Sequence, residues 1–182
     1  MRRLPFVLAL LLSMPAAFAQ PAAPAVGDLP PPALGKDADG DAVDLAQYRG
    51  KVVIVTFWAS WCGFCLKELP ALNALQEEIG EQWLKVIAVN VKDDTSDYRA
   101  MTRQMRDYTL VLTRDRNGGI ADGYGVKSYP NLWMIDSQGK VASHHVGYGE
   151  DSLAAIVQQI KTLLTAEMER RRASQAASAL PG

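Results

Sequence analysis

The sequence predicts one α/β domain in which a central mixed β-sheet is flanked by helices, with a short N-terminal β-hairpin ahead of it. Three observations carry that prediction. A β-branched and aromatic run at residues 51–58 passes through a cysteine turn straight into helical periodicity. A second apolar run at 85–91 follows that helix, and a β-α-β crossover implies parallel strands. Two further strand-like runs, 131–135 and 141–146, are joined by Asp136-Ser137-Gln138-Gly139, the signature of an antiparallel hairpin.

The 182 residues are 48% apolar and 21% charged, enough to bury one ordinary core and too few for two large ones. The elements follow in order. Arg2 and Arg3 precede the apolar run 6–12, and Ala17-Phe18-Ala19 places small residues before Gln20, so residues 1–19 read as a cleavable signal peptide. An uncleaved membrane anchor is the alternative, but Pro5 and Pro15 interrupt a stretch already shorter than the roughly 20 apolar residues of a span. Residues 20–33, rich in proline and alanine, read as an extended linker. The folded domain is expected over 34–170, starting with a small hairpin around Gly40.

Residues 51–58 are too apolar for a sheet face exposed to water, which marks a buried central strand. Leu66, Leu69, Leu72, Leu75 and Ile79 then recur at helical spacing until Gly80. A second helix is expected over 96–108, with Asp94 or Ser96 as its cap. A glycine-rich link at 118–125 leads to the hairpin. The last amphipathic helix, 151–170, carries Leu153, Ile156, Val157, Ile160, Leu163 and Leu164 on one side, and 171–182 reads as a disordered tail.

Removing the leader arginines takes the formal charge from −1 to −3, which excludes a general electrostatic attraction to nucleic acid. The chain has two cysteines, Cys62 and Cys65. A cross-link over so short a loop restrains little of the unfolded chain, so its value is chemical. At a helix start the first sulfur meets free N–H groups and the positive end of the dipole, which stabilises a thiolate. Cys62 is therefore the candidate nucleophile and Cys65 the less exposed resolving partner. A zinc site lacks ligands, because His144 and His145 are neighbours on a strand and point to opposite faces. Haem attachment needs a histidine where Leu66 stands.

The segment 51–70, Lys-Val-Val-Ile-Val-Thr-Phe-Trp-Ala-Ser-Trp-Cys-Gly-Phe-Cys-Leu-Lys-Glu-Leu-Pro, resembles the active-site strand and helix of thioredoxins, specifically the exported TlpA/ResA-like branch of thiol:disulfide oxidoreductases. The likeness continues through Tyr124-Gly125-Val126, Tyr129-Pro130 and Ile135-Asp136, and covers residues 35–164. It implies a thioredoxin-like fold and dithiol–disulfide exchange without a cofactor. It also implies a cis Tyr129–Pro130 bond facing the cysteines, with the Tyr129 backbone pairing with substrate. The family's acidic residue three positions after the second cysteine is matched by Glu68, which helical spacing independently places near Cys65. Glu68 would take the Cys65 proton; its bland reading is a surface glutamate near the favourable end of the dipole.

Two departures stand out. Thr56 occupies the strand position where thioredoxins keep an aspartate, and Phe64 replaces a common proline. Phe64 is either an apolar contact for partner proteins or a packing residue, while Trp61 is read as an apolar wall beside Cys62; both join Tyr129 and Pro130 as expected substrate-binding residues. No cation lies between the cysteines, which favours a reductant over a strong oxidant. The expected partners are exported, disulfide-bearing proteins and an upstream membrane electron donor, with the chain itself a periplasmic monomer. Two rivals are a copper-handling module using both thiolates with His144 or His145, and a thiol peroxidase, against which Ala59 stands where a threonine or serine is needed.

Overall fold

A computed structural model describes residues 23–178. The expected signal peptide and the start of the linker lie outside them. Its core is a five-stranded sheet in the order β5 (Val111–Asp115), β4 (Leu84–Val91), β3 (Val52–Trp58), β6 (Asn131–Ile135), β7 (Val141–Val146). Strand β3 (Val52–Trp58) is central and buried at every position. It pairs in parallel with β4 (Leu84–Val91), from Val52 opposite Leu84 to Trp58 opposite Asn90. On its other side it pairs antiparallel with β6 (Asn131–Ile135), which pairs antiparallel with β7 (Val141–Val146). The sheet is mixed, as the crossover and the hairpin require.

Side-chain alternation divides β3 between two cores. Val52, Ile54 and Trp58 pack with Leu69 and Leu72 of α1 (Cys65–Ile79) and with Ile156 and Ile160 of α4 (Glu150–Ser178). Val53, Val55 and Phe57 pack on the opposite face with Leu34, Val43 and Tyr124. Each such aliphatic side chain contributes about 1.5–3 kcal/mol on burial. Because helices and loops cover both faces, the strand needs no polar alternation, which explains its continuous apolar run.

The hairpins form where turn chemistry places them. β1 (Ala33–Lys36) and β2 (Ala42–Asp44) flank Asp37, whose Oδ1 accepts the Asp39 and Asp41 N–H groups. In the β6–β7 turn, Asp136 Oδ1 does the same for Gln138 and Lys140, and Gly139 takes a φ of 81°.

Four expectations are corrected. Between the second helix and the hairpin, where only a glycine-rich link at 118–125 was expected, lie β5 (Val111–Asp115), parallel to β4, and α3 (Gly119–Gly123). Arg114 and Asp115 disguise β5, since their charged ends are bonded inside the fold. The Asp115 carboxylate accepts the Gly118 and Ala121 N–H groups, tying β5 to α3. Helix α2 (Thr95–Gln104) stops before 108, and its N-cap Asp94 makes no side-chain cap bond.

Helix α4 runs through 171–178, which were expected to be tail. Buried Glu167 accepts from Ser137 Oγ and from Arg170 and Arg171, while Arg171 also donates to the Gly50 carbonyl and lies over the Trp83 ring. Those anchors give the last turns something to hold, which composition concealed. From Ala23 onward the linker is likewise docked. Gly27 N–H donates to Val141 O, Val141 N–H to Asp28 O, and the Tyr124 hydroxyl to Pro31 O.

Candidate active site at the cysteine turn

Strand β3 ends at Trp58, and the chain turns through Ala59-Ser60-Trp61 to reach Cys62. The turn is closed by the Cys62 N–H on Ala59 O at 3.1 Å, and the Cys62 carbonyl accepts the Leu66 N–H as α1 begins. Cys62 and Cys65 form a disulfide with their Cα atoms 5.3 Å apart. The Cys65 N–H points at Cys62 Sγ at 3.2 Å, so the first sulfur is held where free helix N–H groups gather. Cys62 is 7% exposed and Cys65 is fully buried. Of the two cysteines, only Cys62 has any exposure to solvent.

One turn into α1, Glu68 is fully buried rather than on the surface. Thr56 Oγ donates to Glu68 Oε2 at 2.7 Å, while Oε1 has no hydrogen-bond partner. Burial pushes the Glu68 carboxyl up to about 7, against a smaller lowering by the Thr56 bond. Thr56 carries no titratable proton in the physiological range, yet it orients the group that does. A carboxyl of that acidity can exchange a proton near neutral pH.

Opposite the turn, the Tyr129–Pro130 peptide bond is cis and Pro130 is buried. Tyr129 packs against the core cluster that contains both cysteines, and its ring meets Trp61 edge-on at 5.8 Å. Behind this loop, Asn131 Oδ1 accepts from Trp133 Nε1 at 2.8 Å and pairs with His144 Nε2 at 2.9 Å. Trp61 is 73% exposed and Phe64 60% exposed, the latter with Lys67 Nζ over its ring. Phe64 is therefore exposed and not a packing residue. The fold therefore brings Trp61, Cys62, Cys65, Glu68, Tyr129 and Pro130 around one turn, with Phe64 at its rim.

The two histidines are not gathered there. His144 stacks on Trp133 at 4.0 Å, on the sheet face away from the cysteines, and burial followed by the charge of His145 lowers its pKa. His145 lies 3.3 Å from Ser143 Oγ. Among the described residues no group of three His, Cys, Asp or Glu side chains is placed to hold a metal ion. Nor is any helix among them long and apolar enough to cross a membrane.

Sequence reasoning missed Asp93. Its buried Oδ2 accepts the Ser60 N–H at 2.7 Å and Asn90 Nδ2 at 2.6 Å. The available signal was register: a strand parallel to β3 must end beside the cysteine turn, and Asn90-Val91-Lys92-Asp93 leaves that strand at the right height.

Comparison with known proteins agrees with this geometry. The family model described as AhpC/TSA family matches residues 26–144. The thiol-disulfide oxidoreductase ResA of Geobacillus thermodenitrificans is 32% identical over 124 residues, which is 68% of this chain and 71% of that protein. The thioredoxin-like protein YneN of Bacillus subtilis is 36% identical over 115 residues, 62% of this chain and 66% of that one. A crystal structure from Chlorobium tepidum, described as a thiol:disulfide interchange protein DsbE, superposes with a TM-score of 0.69 at 33% identity, covering 78% of this chain and 99% of that one.

Proposed function

The chain belongs to the AhpC/TSA family and is a thiol:disulfide oxidoreductase of thioredoxin-like fold, and from this premise we propose that it reduces disulfides in exported proteins through Cys62, Cys65 and Glu68. The observation that carries the reading is the pair of sulfurs at the start of α1, with Cys62 slightly exposed, Cys65 fully buried and a buried carboxyl, Glu68, three residues further along the helix.

In the reduced protein the Cys62 thiolate attacks one sulfur of a substrate disulfide. The substrate S–S bond breaks, a mixed disulfide forms, and the first substrate thiolate leaves. Glu68 accepts the Cys65 proton, and the resulting thiolate attacks Cys62 Sγ. The second substrate thiolate departs, and the two electrons leave behind the Cys62–Cys65 disulfide. The departing thiolates take up protons, one of them the proton held by Glu68. Thiols of an upstream membrane donor then restore the dithiol. The exposed rings of Trp61 and Phe64, with Tyr129 and Pro130, receive the apolar surroundings of the substrate disulfide.

Export rests on the leader-like residues 1–19, and the periplasm is the compartment such a reductase would serve. Substituting the cysteines separates the roles. Cys62→Ser is expected to abolish reduction of a model disulfide, and Cys65→Ser to accumulate mixed disulfides with partner proteins. Equal activity in the two variants would overturn the assignment.

A further inference from the structure

The turn that carries Cys62 is fastened to a different part of the chain from the strand that delivers it. Asp93 follows β4 and is 7% exposed, yet its carboxylate reaches across to the Ser60 N–H at 2.7 Å. The same oxygen accepts Asn90 Nδ2 at 2.6 Å, so the end of β4 fixes the carboxylate before it meets the turn. Its backbone is fixed as well, because Arg114 Nη2 donates to the Asp93 carbonyl at 2.5 Å and Arg114 Nη1 to Thr95 Oγ at 3.0 Å. The guanidinium itself lies over the Tyr98 ring. The end of β4 thus holds the carboxylate through Asn90, Arg114 of β5 holds the Asp93 backbone and the start of α2 together, and the outward partner of the carboxylate is an amide two residues before Cys62.

We infer that Asp93 is a positioning residue for the redox turn, holding the Ser60 amide so that Trp61 and Cys62 keep one geometry and placing a fixed negative charge beside the Cys62 sulfur. Two residues of chain, folded back by the Cys62 N–H on Ala59 O, put the carboxylate on the order of 10 Å from that sulfur. The Asp93 charge reaches the far wall of the site too: burial, then Asp115, Asp122 and Asp93, all raise the Tyr129 pKa. A negative charge beside a thiolate disfavours it, so Asp93 moderates the stabilisation that the helix start gives Cys62. A less stabilised thiolate makes the dithiol easier to oxidise and the protein a better reductant. The titratable groups facing this site are Lys67 and Glu68 on α1, Tyr129 on the cis-proline loop, Tyr148 after β7 and Asp93 at the end of β4.

The inference rests on Cys62 being the nucleophile, and its test keeps the two apart. Asp93→Asn retains an oxygen for Ser60 and removes the charge; Asp93→Ala removes both. In reduced protein, the pH profile of Cys62 alkylation by iodoacetamide is expected to move down by about half a pH unit or more in Asp93→Asn, from a unit charge at that distance in a partly aqueous medium. The reduction potential should rise with it. Asp93→Ala should show the same displacement and lose about tenfold in turnover of a disulfide substrate. An unmoved alkylation profile in Asp93→Asn overturns the inference, whatever becomes of the melting temperature. Activity surviving in Cys62→Ser would instead overturn the underlying reading.

Discussion

Replacing Glu68 with glutamine removes the charge while keeping the shape and the Thr56 hydrogen bond, so the pH dependence of the difference isolates one proton. The Glu68 carboxyl titrates at about 7 in the folded protein against 4.5 in the unfolded chain. Folding therefore favours the protonated form. The stability linked to it is fully present below pH 4.5, where both states hold the proton. It declines as the unfolded chain ionises, and is gone above about pH 7, when the folded carboxyl also ionises. The interval corresponds to about 3 kcal/mol.

The assay is urea unfolding of oxidised wild type and Glu68→Gln at pH 4 and pH 8; with the disulfide closed, neither cysteine titrates. The account predicts that the glutamine variant gains about 3 kcal/mol on wild type between the two pH values. A stability difference that is the same at both would refute the argument that burial holds this proton. In the reduced protein the same substitution should slow resolution of a mixed disulfide by about 10²-fold, because Cys65 loses its base.

Two further outcomes follow from the same geometry. Trp61→Ala and Phe64→Ala remove exposed rings, so each should raise KM for a protein disulfide several-fold while leaving the melting temperature and the turnover of a small disulfide nearly unchanged. Lys92 holds a φ of 59°, in the left-handed region, so Lys92→Gly should raise unfolding stability by about 1 kcal/mol in urea titration; a loss would mean that the lysine stem over Gly118 outweighs the relieved strain.

Much of the redox turn was legible in sequence because its determinants are local. The run from Val52 to Trp58 announces a strand buried on both faces, and Cys62 and Cys65 sit at the turn that follows. Leu69 and Leu72 give the helix its inward face, and Glu68 falls near Cys65 by spacing alone. What stayed hidden depends on contacts between distant residues. β5 looks like a polar connection because Arg114 and Asp115 spend their charges on Thr95, the Asp93 carbonyl and the start of α3. Residues 171–178 look like a tail because nothing local shows that Arg171 reaches Gly50 and Trp83. Asp93 looks like one acid in an acidic stretch until the parallel register of β3 and β4 sets it against Ser60. The burial of Glu68 is likewise a tertiary fact, because the first turn of a helix is as often wet as dry.

The account stands on the two sulfurs having different chemistry, and residue-resolved alkylation of the reduced protein tests that most directly. Mass-spectrometric mapping across pH should find Cys62 modified first, with a midpoint below the value of about 8.5 for a free thiol, while buried Cys65 resists until the protein unfolds. Equal modification of both residues, at the rate and midpoint of free cysteine, would contradict it.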